Sequence, residues 1–139
     1  MTPAKAPLPF VGTWKLTKCE PTRPDLPHPV SGITTLTQEA DGIHVKTEGT
    51  WSDGRALTTN VVNQMDGKWY PASGSPLYDS VSVRRLSDLS AEVKMRKGGA
   101  DVGTNLSTVS ADGRTLTARV ALVGPGGVAM AWTTTSERQ

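Results

Sequence analysis

The sequence predicts a single soluble all-β domain, an antiparallel up-and-down meander of eight to ten strands closed into a barrel, with almost no helix. Three observations predict it. Turn dipeptides recur along the chain at Asp41-Gly42, Asp53-Gly54, Asp66-Gly67, Gly98-Gly99, Asp112-Gly113 and Gly126-Gly127. Asp-Gly and Gly-Gly favour the left-handed φ values that tight hairpins demand. Between them, apolar and polar residues alternate with a period of two, and no segment sustains the 3.6-residue period of a helix.

The 139 residues fit one domain. It is expected over 10–139, after an extended lead-in over 1–9 that carries three prolines. The first strand is predicted over 12–19. Pro21, Pro24, Pro27 and Pro29 then forbid a helix and a central strand alike, so 20–30 reads as an extended loop crossing one end of the domain. Further strands are predicted over 31–38, 42–50, 55–64, 67–70, 79–87, 90–97, 101–110, 114–122 and 127–135. A turn at Ser87-Asp88 and a longer loop at Pro71–Pro76 complete the series.

Alternation assigns the faces. Val81, Val83 and Arg85 share one side, as do Ala91, Val93 and Met95. Leu116, Ala118, Val120 and Leu122 form a third such row, and Val128, Met130 and Trp132 a fourth. One face is buried and one is wet, as in a sheet with solvent on a single side. An open meander of this length would expose two long edges, and closure removes them.

Composition excludes several functional classes. Cys19 is the only cysteine, which rules out an internal disulfide and a Cys-rich zinc cluster. Fifteen basic residues face thirteen acidic ones, and the aromatics (four Trp, two Tyr, one Phe) do not interleave with the basic groups. That pattern does not suit a nucleic-acid partner. No apolar run approaches the roughly 20 residues of a membrane span. No secretory signal is visible, so a cytoplasmic protein is expected as written, or a periplasmic or secreted one if a signal peptide has been removed. His28 and His44 are isolated and lack metal-ligand spacing, so no metal site is expected. No catalytic set and no cofactor are expected either.

The segment Phe10-Val11-Gly12-Thr13-Trp14-Lys15-Leu16 resembles the opening strand of lipocalins and fatty-acid-binding proteins, the calycin barrels. The stretches around Asp66–Pro71, Asp79–Arg85, Lys97–Gly99 and Ser110–Thr117 are similar to bacterial lipocalin-like proteins. The resemblance implies that Trp14 plugs the closed end of the barrel, that Gly12 lets the chain turn in close, and that Arg138 stacks across Trp14. Two departures stand out. The proline-rich 20–30 loop replaces the helix-turn-helix lid of fatty-acid-binding proteins, and their C-terminal Arg-x-Tyr is replaced by Trp132-Thr133-Thr134-Thr135. Fatty-acid binding therefore does not transfer.

Many inward positions would be Thr, Ala or Val, too small to fill a barrel at ordinary packing density. This favours binding of a small apolar or amphipathic molecule inside the barrel. A barrel enzyme using the same cavity and a structural or homodimeric module are the alternatives. The protein is expected to be a monomer or homodimer. The cavity lining is expected to include Trp51, Trp69, Tyr78, Val83, Arg85, Val93, Met95, Met130 and Trp132. Arg85 either points inward, where it would need an anionic partner, or swings into solvent as its strand ends.

Overall fold

A computed structural model describes residues 9–139. The expected lead-in over 1–9 lies outside the described residues except for Pro9. Ten antiparallel strands run β1 (Gly12–Pro21), β2 (Pro29–Glu39), β3 (Gly42–Trp51), β4 (Ala56–Asn63), β5 (Asp66–Ser73), β6 (Ser80–Ser87), β7 (Ser90–Lys97), β8 (Ala100–Val109), β9 (Thr115–Val123) and β10 (Ala129–Arg138). Each pairs with its neighbours in sequence, and β1 pairs with β10 to close the barrel. The helical content among the described residues is one 3-10 turn over Pro125–Gly127. No helix there is long and apolar enough to cross a membrane.

The hairpins follow the turn chemistry, with one exception. Gly98 and Gly99 (φ 58° and 82°) form a two-residue loop between β7 and β8. Asp66-Gly67, by contrast, lies inside β5. The β4–β5 turn is Gln64-Met65, where Met65 adopts φ 52° and its N–H donates to Asn63 Oδ1 at 2.9 Å. The asparagine side chain supplies the local hydrogen bond that a turn glycine would otherwise make unnecessary. β5 then joins β4 only at its far end, where Asn60↔Ser73 and Val61↔Ala72 pair.

The prolines cost less regular structure than expected. β1 reaches Pro21, opposite Trp132, and β2 begins at Pro29, opposite Trp51. Both sit at strand ends, where a missing N–H removes little of the ladder. β5 also runs through Pro71 to Ser73, so the predicted Pro71–Pro76 loop begins only at Gly74. The segment between β1 and β2 is non-helical and is tied to the β3–β4 turn, where Ser52 N donates to His28 O at 2.7 Å.

One end of the barrel is sealed by Trp14, which is fully buried. Its indole N–H donates to Phe10 O at 3.0 Å. The Arg138 guanidinium carbon lies 4.3 Å from the ring centroid. Its nitrogens donate to Gly113 O (2.7 Å), Val11 O (2.6 Å) and Pro9 O (2.6 Å). One side chain thus joins the chain's start, its end and the β8–β9 turn. Gly12, at φ 138°, passes against the same guanidinium, and a Cβ there would collide with Arg138 Nη1.

Arg138→Ala strands three carbonyls and uncovers Trp14. It is expected to lower stability by about 3 kcal/mol in urea unfolding. Arg138→Lys, which lacks the planar fork, is expected to recover less than half of that loss. Equal stability of wild type and Arg138→Ala would refute the clamp.

Candidate functional site: an uncharged cavity inside the barrel

Inward residues of nine of the ten strands, all but β5, border one cavity of about 300 Å³. Register explains its walls. Thr34 on β2 pairs with Thr47 on β3, which pairs with Thr59 on β4, so three threonines form one rung. The hydroxyls of Thr34 and Thr47 lie 3.0 Å apart. On the far wall, Ser107 on β8 pairs with Ala118 on β9, which pairs with Thr134 on β10. Asn105 stands one inward position away on β8, and its Oδ1 accepts from Ser107 Oγ at 3.2 Å. β3 and β8 lie directly across the ring of ten strands. Valines 45, 61, 83, 93 and 120 fill the wall between these polar rungs.

The end opposite Trp14 is covered by aromatics. Trp51 and Trp132 pack edge to face, with centroids 5.8 Å apart and planes at 82°. The β5–β6 loop lays Leu77 and Tyr78 beside them; Leu77 is buried. Lys97 Nζ donates to Pro76 O at 2.6 Å, and Gly98 N to Asp79 Oδ2 at 3.0 Å, holding this loop against the β7–β8 hairpin. Burial pushes the Tyr78 phenol above its ordinary range, against the opposing pull of hydrogen bonding with Thr59 and Ser75.

Trp51, Tyr78, Val83, Val93, Met95 and Trp132 all border the cavity. Three expected lining residues do not, and each is corrected for a physical reason. Trp69 pairs with Ser82 on the outer face, where Arg96 lies 3.9 Å from its ring centroid. A register shift between Asp66 and Trp69 sets that parity. Arg85 keeps inward parity opposite Ala91, but its guanidinium turns out to Asp88 Oδ1 at 3.3 Å as β6 ends. Met130 is buried yet lies beyond Trp132, where it borders a separate furrow of about 550 Å³ along β7–β10. That furrow also touches the outer-face residues Lys94, Asp101 and Thr104, so it is open ground rather than barrel interior.

Asn105, Ser107 and the threonine rung were not singled out by sequence. In β8 the larger apolar residue, Leu106, points out and is exposed, so hydrophobicity alone inverts the faces. The recoverable signal was the Asp112-Gly113 hairpin, because β9 alternates cleanly and pairs Leu116 with Val109.

Among the described residues no cluster of three or more His, Cys, Asp or Glu is placed to hold a metal ion. His44 instead sits outside the barrel, with Nε2 2.6 Å from Asp41 and Nδ1 3.3 Å from Glu39. Hydrogen bonding to Asp41 raises its pKa above the ordinary histidine value, and the charge of Glu39 adds to the effect. Burial pushes the Cys19 thiol up, with Glu20 acting in the same direction, which favours the protonated thiol over the thiolate.

Comparison with known proteins supports the architecture. No family model matches the sequence, and no curated protein matches it. Among solved structures, the zebrafish ileal bile acid-binding protein complexed with cholic acid matches at TM-score 0.55 and 12% identity, over 94% of this chain and 99% of that one. A redesigned β-barrel, mFAP1, bound to DFHBI, matches at 0.49 and 17%, over 94% and 95%. Bovine odorant binding protein, in complex with a selenium-containing odorant, matches at 0.46 and 16%, over 100% and 76%.

The His44 pairing has a defined pH signature. A raised folded pKa contributes stability that is complete below the unfolded histidine value and is lost as pH rises through the folded one. NMR titration is expected to place the His44 midpoint above about 6.5. Asp41→Asn is expected to move it down, and a midpoint unmoved by that substitution would remove the pairing. The likeness to solved structures, at identities this low, is one of fold: a closed antiparallel β-barrel of ten strands.

Proposed function

We propose that the protein binds a small, largely apolar molecule inside its barrel, as a carrier, scavenger or sensor. The observation that carries this reading is the cavity of about 300 Å³, walled by Val, Thr, Ala, Leu and Trp rather than filled by them. That volume falls at the lower end of small-molecule sites. Cholic acid, the ligand in the matched zebrafish protein, agrees with this class of use.

Acid–base catalysis in the same cavity is less well supported. The ionisable side chain in its described lining is Tyr78, and burial moves that phenol away from neutral pH. An interaction module is not favoured either. The large exposed apolar residues are spread over β2, β4, β6, β8, β9 and the β9–β10 connection, where a docking face would gather them into one patch.

The test uses 1-aminoanthracene, a neutral fluorescent probe of suitable size. Saturable fluorescence enhancement is expected with the wild type. Ala118 lies at the centre of the far wall, so Ala118→Phe fills the space. It is expected to weaken the probe at least about tenfold while circular dichroism and thermal stability stay at or above wild type. A wild type that binds no probe, or an Ala118→Phe protein that binds it equally well, would overturn the reading.

A further inference from the structure

We infer that the cavity selects uncharged ligands, held by a hydroxyl or carbonyl group at its polar mid-section, and rejects carboxylates. This deepens the proposed binding function and rests on it.

Every described residue bordering the cavity is uncharged. Cations that strand parity places on inward rows, Arg138, Arg85 and Lys97 among them, are engaged elsewhere, Lys97 with Pro76 O at 2.6 Å. Arg138 lies across Trp14 with its guanidinium donating to three carbonyls. Arg85 turns outward to Asp88. An ionised ligand headgroup entering the mid-section would lose its water and meet no opposite charge, which strongly disfavours the charged form. Neutral polar groups, in contrast, find partners there. Thr47 faces the cavity from one wall, and Asn105 and Ser107 face it from directly across the ring. The Thr34–Thr47 and Ser107–Asn105 contacts satisfy these groups in pairs, and each pair keeps further donor or acceptor capacity for a ligand hydroxyl or carbonyl. A molecule with an apolar body and an uncharged oxygen partway along or at one end matches both the valine walls and the two polar rungs.

The experiment compares decan-1-ol with decanoate, which share a chain and differ in charge, by displacement of 1-aminoanthracene and by calorimetry. At pH 8 decan-1-ol is expected to bind at least about tenfold more tightly. Decanoate affinity is expected to rise as pH falls toward the acid's own pKa, because the protonated acid is neutral. Asn105→Leu is expected to weaken decan-1-ol about fivefold while its circular dichroism stays that of the wild-type barrel. Equal binding of alcohol and carboxylate at pH 8 would overturn charge selection while leaving the binding function intact. An Asn105→Leu protein with unchanged decan-1-ol affinity would overturn the polar anchor. A wild type that binds none of the three probes would overturn this inference together with the binding function beneath it.

Discussion

The pairing of β1 with β10 is the constraint on which the rest of this molecule depends. It turns a meander with two bare edges into a ring, and a ring has a circumference fixed by strand number and stagger rather than by what lies inside. The Arg138 clamp makes that closure specific. Its three carbonyl partners come from the segment before β1 and from the β8–β9 turn, so the guanidinium can satisfy them together only when the first and last strands are in register. The Trp14 ring lies beneath it and is shielded completely from water. Sealing one end in this way fixes the floor of the cavity.

With the circumference set, interior volume follows from side-chain size. Among the described residues, the aromatics that border the cavity stand at its ends, Phe10 beside Trp14 at one and Trp51, Tyr78 and Trp132 at the other. Between them the cavity-bordering positions are mostly Val, Thr, Ser, Ala and Leu, with Asn105 among them, and the strands cannot draw together to compensate without breaking ladder hydrogen bonds. The hydroxyls in this section do not make the empty state untenable. Thr34 bonds with Thr47 and Ser107 with Asn105, and every fully buried side-chain nitrogen or oxygen among the described residues has a partner. These paired groups still present polar atoms to a guest.

Much of this was legible in the sequence, because hairpin turns and period-two alternation are local signals. β7 was predicted over the residues it occupies, and most other strands differ at their ends by a residue or two. What was not legible depended on register. Asp66-Gly67 reads as a turn, yet Asn63 had already turned the chain through Met65. The following register shift reversed the side on which Trp69 emerges. Asn105 and Ser107 were hidden because they face inward from a strand whose exposed Leu106 suggests the opposite parity. Their placement comes from β9, through pairings that no property of β8 alone encodes.

Position along a strand decides whether an inward charge is tolerable. A long side chain near the end of a strand can carry its head past the barrel rim while its stem stays inside. Arg85, near the end of β6, reaches Asp88 in this way, and Arg138, at the end of β10, crosses Trp14 to reach backbone carbonyls. A side chain at mid-strand has no such route, so a charge there would need a buried partner of opposite sign. The mid-strand inward positions of this barrel, Thr47, Thr59, Val83, Val93, Asn105, Ala118 and Thr134, are all neutral. Alternation by itself permits a charge at any of them; a mid-strand side chain cannot reach past the barrel rim to bulk water, which is what makes neutral residues the stable choice. The same restriction applies to whatever enters the cavity, since a guest's headgroup at that depth meets the same walls as a side chain would.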